Sequence, residues 1–497
     1  MRVFYGVFLL LLSLHSYAQR DTATLKSFID EAATTFGLPA LEVAIVDQGQ
    51  VLFTHGVGER SVEVPKAPDG KTMFAIASLS KAFTTACLAI LVEEGKLKWE
   101  DPVVKHLPWF KLHDDYVTQN ITVEDLLCHR SGLITFDGDL LWYGSTYDRE
   151  EIVKRIRERP LTHGFREKFG YQNIMFITAG EVIEAVSGHS FDDFVRDRLL
   201  RPLNMTRTTT RFDEFSLDRN MAKPHLDGEQ IFSMSYENSG ATAAINSCAR
   251  DLARWSNFWL AGGVIDNDTL LSESSINRIW TIHTTLPTGS FDEDHQTKFK
   301  GYGMGWFVMD YHGKKVVHHG GGLPGYISKV ALLPEDDFGI VVLTNDMSSV
   351  PTMMMYAAVD WYHGRDYTHW LDTFLELKES SEERSKLEKE ARLEEKKDSP
   401  LIYPPGDYVG MYEDAMYGPA EILVEGGEMI LRLIPSKELF SGRLSPWMDH
   451  AFRFDHNDPF LTYGVIEFDI EKDLIKGFTI DLPNQDFHFD KLYFERK

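Results

Sequence analysis

Hydrophobic positions along the first 365 residues follow helical spacing in some segments and strand spacing in others. The segments Leu79 to Val92, Asn173 to Val186 and Ala249 to Ala261 carry apolar residues at helical spacing. Strand-like apolar runs stand at both ends of the region, namely 41–46, 51–54, 305–309, 315–317, 327–333 and 339–343. Strands at both ends with helices between them predict an α+β fold, in which helices and a helical subdomain flank a mainly antiparallel sheet.

The pattern changes near residue 376. Residues 376–400 are dominated by Glu, Lys, Arg and Ser, which predicts a charged helical linker. Beyond it, short β runs such as Glu421 to Val424 and Lys476 to Ile480 are separated by Gly, Asp and Asn. This pattern of short strands and turn residues predicts a small all-β, barrel-like domain over residues 401–497. The predicted main domain therefore covers residues 19–375.

The first eighteen residues have the pattern of a secretory signal peptide. Arg2 is followed by the apolar run from Val7 to Leu12 and then by Ser16, Tyr17 and Ala18. We expect cleavage after Ala18, export to the periplasm or the extracellular space, and no membrane span in the mature chain. Retention of the segment as an anchor is the alternative, although the apolar run is short for a bilayer.

Composition narrows the range of partners. The 497-residue chain is 43% hydrophobic and has a formal net charge of −25 at pH 7. Nucleic acids and anionic membranes attract basic surfaces, so this charge argues against both as partners. We expect a small-molecule or peptide substrate, whereas the sequence leaves the oligomeric state undetermined.

Ser78 and Lys81 are the first candidate catalytic pair. They form the only Ser-x-x-Lys sequence in the chain, at or near the start of the helix predicted from Leu79. Residues three apart share a helix face, so the lysine amine can reach the serine hydroxyl. A serine needs such help because its free hydroxyl is a weak nucleophile, and a partly buried lysine can lose its proton.

Tyr171 and Asn173 form a second candidate motif just before a predicted helix. The tyrosine hydroxyl can relay a proton, and the asparagine amide can orient Lys81 or a substrate carbonyl. Tyr236-Glu237-Asn238 repeats the spacing. We favour the first copy because an apolar helix follows it.

A glycine-rich stretch, His319-Gly320-Gly321-Gly322, lies between two predicted strands. Consecutive glycines allow close approach of backbone N–H groups to an oxyanion. A dinucleotide fingerprint is rejected because a strand rather than a helix follows the glycines, and a lipase motif because the chain has no Gly-x-Ser-x-Gly. Zinc is rejected because further ligands are missing. The sequence therefore predicts neither a metal nor an organic cofactor.

The order Ser78-x-x-Lys81, Tyr171-x-Asn173 and His319-Gly320-Gly321 resembles the serine beta-lactamase-like family of class C type. That family includes beta-lactamases, penicillin-binding carboxypeptidases, D-aminopeptidases and esterases. The likeness extends to Leu126–Leu133 and Gly322–Tyr326, and so covers about residues 25 to 365. The C-terminal part resembles the β-barrel appendage of some peptidase-like members.

The resemblance implies a role for each motif. Ser78 would be the acylated nucleophile, and Lys81 and Tyr171 would share base and acid duties. Asn173, His319 and Gly320 to Gly322 would bind substrate, and the backbone N–H groups of Ser78 and Gly322 would form the oxyanion hole.

One difference from the family bears on the substrate. Class C beta-lactamases have Lys-Thr-Gly where this chain has His319-Gly320-Gly321. Loss of that lysine weakens recognition of a carboxylate and favours an esterase or peptidase. A true beta-lactamase and an inactive ligand-binding homologue remain the alternatives.

Overall fold

The computed structural model describes residues 21–266, 268–394 and 403–497. The predicted signal peptide (1–18) and the end of the predicted linker (395–400) lie outside the described residues. The helices are α1 (Thr22–Phe36), α2 (Ser80–Glu93), α3 (Val103–His106), α4 (Asp115–Asn120), α5 (Val123–Leu126), α6 (Arg149–Arg155), α7 (Asn173–Ser187), α8 (Phe191–Val195), α9 (Phe212–Ser216), α10 (Ala249–Leu260), α11 (Glu273–Ile279), α12 (Ser290–Asp294), α13 (Val350–Tyr362), α14 (His369–Glu394) and α15 (Pro405–Tyr408).

Strands fall into two groups along the chain. Those before residue 345 are β1 (Ala40–Asp47), β2 (Gln50–Gly58), β3 (Phe74–Ala75), β4 (His225–Leu226), β5 (Glu229–Gln230), β6 (Asn246–Ser247), β7 (Val264–Ile265), β8 (Asp268–Thr269), β9 (Thr284–Leu286), β10 (Lys300–Tyr302), β11 (Phe307–Tyr311), β12 (Lys314–Leu323), β13 (Tyr326–Leu333) and β14 (Phe338–Thr344). Those after residue 409 are β15 (Gly410–Asp414), β16 (Gly418–Glu425), β17 (Glu428–Leu433), β18 (Ser441–Met448), β19 (Ala451–His456), β20 (Gly464–Glu471), β21 (Leu474–Asp481) and β22 (Phe494–Arg496).

The central sheet of the main domain is antiparallel, with the order β2-β1-β14-β13-β12-β11-β10-β9. The first hairpin turns at Gln48 and Gly49, which both have positive φ (51° and 72°), as a two-residue hairpin turn requires. Strands β12, β13 and β14 pair in chain order, and β12 and β13 contribute residues to the site described below. The predicted α+β fold is confirmed.

Helices cover both faces of this sheet, which explains why β1 and β14 are apolar on both sides. Val43 and Ile45 of β1 belong to the cluster that contains α1 and α13. Ala44 and Val46 point the other way, into the larger core that contains α2, α7 and α10. Helix α2 is buried almost throughout, as expected of a helix that is apolar around most of its circumference.

The C-terminal strands β15 to β22 close into an eight-stranded antiparallel barrel. Inward-facing Tyr412, Leu431, Phe454 and Phe478 are fully buried. The predicted barrel-like domain is thus confirmed. Before it, α14 begins at His369, ahead of the predicted charged segment, because Trp370 and Phe374 anchor its first turns in the main core.

Candidate active site

Ser78 lies in a short 3₁₀ turn, Ala77–Leu79, that leads directly into α2. It therefore lies at the start of the helical segment, as expected from the sequence, two residues before α2 begins at Ser80. The Ser78 hydroxyl accepts from Lys81. Ala77, just before the nucleophile, has φ +50°, a conformation that costs a non-glycine residue energy and is typical of functional sites.

Lys81 is fully buried, and its amine donates hydrogen bonds to three acceptors. Its Nζ donates to Ser78 Oγ at 3.0 Å, to Asn173 Oδ1 at 2.7 Å and to the Thr242 carbonyl at 3.3 Å. Burial lowers the pKa of Lys81 well below its ordinary value, and Asp139 opposes part of this effect. A lysine that loses its proton easily beside a serine hydroxyl can act as a general base.

Tyr171 approaches Ser78 from a second element, the turn before α7. It borders the same cleft as Ser78, and its ring lies 4.8 Å from Lys81 Nζ. Burial raises the pKa of Tyr171 well above its ordinary value, so the phenol keeps its proton at neutral pH. His129 fixes the turn, because its Nδ1 accepts from the Gln172 backbone N–H at 2.9 Å and its ring packs 4.1 Å from that of Tyr171.

Asn173, the first residue of α7, links Lys81 to two residues that sequence reasoning did not assign. Its Oδ1 also accepts from the Thr242 hydroxyl at 2.7 Å, and its Nδ2 donates to Asp139 Oδ2 at 2.6 Å. Burial raises the pKa of Asp139 to about 8. Nothing in the sequence around Asp139 indicates a partner for Asn173.

The second Tyr-x-Asn copy lies apart from the nucleophile. Asn238 donates to the Trp142 carbonyl at 2.9 Å and so stabilises a loop. Tyr236 borders a different hollow. The structure therefore brings Tyr171 and Asn173, and not the repeat, to Ser78.

The predicted glycines lie on β12, which passes directly behind the nucleophile turn. At Gly321 a Cβ would stand 2.2 Å from the Ile76 carbonyl oxygen and 2.9 Å from Ser78 N, so only glycine fits there. Gly320 and Gly322 border the cleft together with Ser78, whereas Gly321 does not. An oxyanion hole from the N–H groups of Ser78 and Gly322 stays a prediction.

His319 is buried and its ring is fully committed to protein partners. Nδ1–H donates to the Gly320 carbonyl at 2.6 Å, and Nε2 accepts from the Tyr302 hydroxyl at 2.9 Å. Burial lowers the pKa of His319 to about 3, so the ring is neutral at physiological pH. It therefore adds no positive charge where class C beta-lactamases have a lysine.

A cleft of about 580 Å³ opens in front of Ser78. The main domain contributes aromatic wall residues, among them Phe136, Trp142 and Phe307. The barrel contributes further wall residues, Phe460, Asp486 and Phe487, which sequence reasoning did not assign.

The barrel reaches this cleft because it is anchored beside it. The Tyr143 hydroxyl donates to Asp458 at 2.8 Å, and His488 donates to the Thr135 carbonyl at 2.7 Å. The rings of Phe487 and Tyr143 lie 4.3 Å apart. Both domains therefore shape the space that a substrate would enter.

Two kinds of feature are absent from the described part of the chain. Residues 21–266, 268–394 and 403–497 contain no group of three His, Cys, Asp or Glu side chains that could hold a metal ion. Across the same ranges, none of the helices combines the length and the apolar character that crossing a bilayer demands.

Comparison with known proteins gives two family matches. Residues 25–362 match the family model described as Beta-lactamase. Residues 395–496 match a model described as a domain of unknown function, DUF3471.

Curated relatives share the first of these regions. Unguisins hydrolase ungD' of Aspergillus campestris is 30% identical over 346 residues, which are 65% of this chain and 62% of that protein. Protein flp of Staphylococcus aureus strain COL is 28% identical over 315 residues, 62% of this chain and 60% of that protein. The chain thus spans less than two thirds of the length of these relatives.

Solved structures support the fold. The octameric penicillin-binding protein homologue from Pyrococcus abyssi aligns with 95% of this chain and 99% of its own, with a TM-score of 0.64 and 22% identity. A D-stereospecific amidohydrolase from Streptomyces sp. aligns with 66% of this chain and 94% of its own, with a TM-score of 0.53 and 23% identity.

Proposed function

The chain belongs to the beta-lactamase family, and we propose that it is a serine hydrolase that cleaves an ester or amide through an acyl-enzyme on Ser78. One observation carries the proposal. Lys81 Nζ lies 3.0 Å from Ser78 Oγ in a buried pocket, and Tyr171 borders the same cleft with its ring 4.8 Å from that amine. A nucleophile, a base and a proton donor therefore meet at the floor of one cleft.

Burial lowers the pKa of Lys81 and raises that of Tyr171, so the two groups take different proton transfers in the proposed mechanism. Neutral Lys81 accepts the proton of Ser78 as Oγ bonds to the carbonyl carbon. Tyr171, which keeps its proton, donates it to the leaving oxygen or nitrogen and regains one from the Lys81 ammonium. Water then attacks the carbonyl carbon of the acyl-enzyme and gives one proton to Lys81 and Tyr171. The bond between that carbon and Ser78 Oγ breaks, the acid leaves, and the proton returns to Ser78. Asn173 and Thr242 hold the Lys81 amine in place throughout.

Two features favour an ester or peptide over a beta-lactam substrate. His319 is neutral at the position of the family's lysine. An unguisins hydrolase is among the relatives, and a D-stereospecific amidohydrolase has the same fold. Nitrocefin turnover at a rate above that of simple esters would favour the beta-lactamase alternative.

The test is removal of the nucleophile. Ser78→Ala should abolish hydrolysis of p-nitrophenyl esters and D-amino-acid p-nitroanilides, and should abolish covalent labelling by a fluorophosphonate. Ser187→Ala is the matched control, because it lies at the far end of α7, about 20 Å from Asn173. Labelling that persists in Ser78→Ala would refute the assignment. A folded wild-type chain that no probe labels would favour the inactive ligand-binding homologue.

We also propose that the chain is exported. The support is the order of residue types in positions 1–18, where a charged residue is followed by an apolar run and then by small residues. Mass spectrometry of the protein from its native cells should give a mature chain that begins at Gln19. Full-length protein in the cytosolic fraction would contradict export.

A further inference from the structure

The barrel contacts the main domain at a peptide group that also holds Tyr171. This group joins Thr135 to Phe136. Its carbonyl accepts from His488 Nε2–H at 2.7 Å, and its N–H donates to the Tyr171 carbonyl at 2.7 Å. Because a peptide group is planar, a contact that fixes the direction of its carbonyl also fixes the direction of its N–H. The barrel is therefore linked to the proposed proton donor through one rigid group.

The backbone of Tyr171 depends on this segment at both of its polar groups. Its N–H donates to Thr135 Oγ1 at 3.1 Å, and its carbonyl accepts from the Phe136 N–H. The rings of Phe136 and Tyr171 also lie 5.4 Å apart. A movement of residues 135–136 would therefore displace the phenol, and a misplacement of about 1 Å at a reacting group can lower a rate by about 100-fold.

Phe136 has a backbone conformation that needs support from its surroundings. Its φ of +64° lies in the left-handed region, which a non-glycine residue adopts at a cost in energy. Within the main domain, the buried carboxylate of Asp137 accepts from the Ile134 N–H at 3.1 Å and from Arg159 at 2.7 Å. The hydrogen bond from His488 adds support from the barrel.

The barrel presents His488 on a well-supported loop. Asn484 Oδ1 accepts from two backbone N–H groups, at 2.7 and 3.2 Å, in the turn just before the histidine. Phe487 and Phe489, on either side of His488, are both buried. Nε2 of the histidine carries a proton in this arrangement, because the carbonyl that it contacts can only accept.

We propose that His488 is a positioning residue for the reaction, which acts through the Thr135–Phe136 peptide group and holds Tyr171 where its phenol can protonate the leaving group. This inference rests on the proposed function of Ser78 and concerns the proton donor of that same site. The barrel thus contributes to the proton transfer as well as to the cleft wall. Loss of the contact should slow reactions that depend on the acid and spare those that do not.

Two esters with the same acyl group separate these cases. 4-Nitrophenyl butyrate has a leaving group that is stable as an anion, whereas the more basic phenolate of phenyl butyrate depends more on protonation. We expect His488→Leu to lower kcat/KM for phenyl butyrate by about 3- to 10-fold, as for the loss of one hydrogen bond. For 4-nitrophenyl butyrate the change should stay below about twofold.

Two control variants separate positioning from stability. His488→Gln keeps an N–H donor near the place of Nε2 and should restore most of the wild-type ratio between the two esters. Tyr147→Phe removes a different hydrogen bond between the domains, from the Tyr147 hydroxyl to the Tyr417 carbonyl at 2.8 Å, and should leave the ratio unchanged. An unchanged ratio in His488→Leu, equal losses on both esters, or the same change of ratio in Tyr147→Phe would overturn the proposal.

A double variant tests whether His488 acts through Tyr171. Tyr171→Phe lacks the proton donor, so the addition of His488→Leu should cause no further loss of kcat/KM for phenyl butyrate. A further loss as large as that in the wild-type background would show that His488 acts by another route, and the proposal would fail.

Hydrogen exchange gives a measurement that needs no turnover. In a peptide spanning residues 133–137, exchange should be faster in His488→Leu than in wild type, and close to wild type in Tyr147→Phe. If Ser78→Ala retains hydrolysis, the proposed function fails and the positioning role fails with it. If Ser78→Ala is inactive but exchange does not respond to His488→Leu, the positioning role fails alone.

Discussion

At the scale of single residues, the proposed mechanism depends on the protonation state of Lys81. The side chain is fully buried and its amine has three acceptors, yet only a neutral amine can take the proton from Ser78. Burial favours that neutral form because it lowers the pKa of Lys81 well below its ordinary value. The same burial keeps Tyr171 protonated, so one physical cause assigns opposite roles to the two groups.

Lys81→Arg tests this division of roles. A guanidinium keeps the positive charge and can still donate to Asn173, but it does not deprotonate in proteins. We expect kcat for p-nitrophenyl esters to fall by about 10²- to 10⁴-fold, the usual contribution of general acid–base catalysis. Circular dichroism should verify the fold, and Lys71→Arg serves as the exposed control. An active Lys81→Arg enzyme would exclude Lys81 as the base.

The sequence alone identified those candidate site residues that stand in short motifs with characteristic spacing. Ser78, Lys81, Tyr171 and Asn173 stand in ordered motifs, and the structure brings all four together. Lys329 of β13, which also borders the cleft, stands in no motif, because its place there depends on its strand partner Gly320. Contacts of this kind arise from strand register, which a residue pattern does not reveal.

At the scale of elements, local patterns predicted most helices and strands well. The hairpin turn, the capping box of α5 at Thr122 and Asp125, and the glycine that ends α7 all follow from local chemistry. The exact start of α2 at Ser80 does not, because the Ser78 side chain accepts a hydrogen bond from Lys81, a contact that the local sequence pattern does not determine.

Glu42 of β1 makes the stability of the fold depend on pH. Its carboxyl is fully buried and accepts from the Gly70 backbone N–H, and burial raises its pKa from 4.5 to about 8. Between these values the unfolded chain releases a proton that the folded chain retains. The free energy of unfolding therefore falls as pH rises from about 4.5 to 8, by an amount on the order of 4 kcal/mol.

Glu42→Gln should remove this contribution, since glutamine is neutral in both states. The free energy of unfolding should be measured with urea for both proteins between pH 5 and pH 8. As the pH rises, we expect the value for the wild type to fall relative to the value for Glu42→Gln. The net negative charge of the chain affects both proteins nearly equally, so the difference isolates position 42. Glu59→Gln, at an exposed position next to β2, should keep the wild-type slope. Parallel slopes for wild type and Glu42→Gln would mean that Glu42 is ionised in the folded protein.

At the scale of the whole molecule, the two domains form one cleft. The sequence predicted a β domain after the linker, and the barrel closes as expected. Its position beside Ser78 was not predictable, because it depends on pairs such as Tyr143 with Asp458, which are 315 positions apart. The barrel therefore forms part of the wall of the cleft in front of Ser78.

Phe487 is the barrel residue best suited to test this arrangement. It is buried, borders the cleft and packs on Tyr143 at 4.3 Å. Phe487→Ala enlarges the cleft and removes apolar contact with the substrate, so we expect KM for long-chain and aromatic esters to rise about tenfold. This corresponds to a loss of about 1.4 kcal/mol of binding, at the low end for a buried phenylalanine contact. For acetate esters, which are too short to reach the barrel, KM should change little.

Phe478→Ala distinguishes this effect from simple loss of barrel stability. Phe478 is fully buried inside the barrel and does not border the cleft. Its truncation should lower Tm through a cavity, with a cost of about 3–5 kcal/mol, yet leave KM unchanged at temperatures where the protein is folded. If both variants raise KM equally, the barrel acts by supporting the main domain. If Phe487→Ala alone changes the ratio of long to short esters, the barrel takes part in substrate selection, because only that residue faces the cleft.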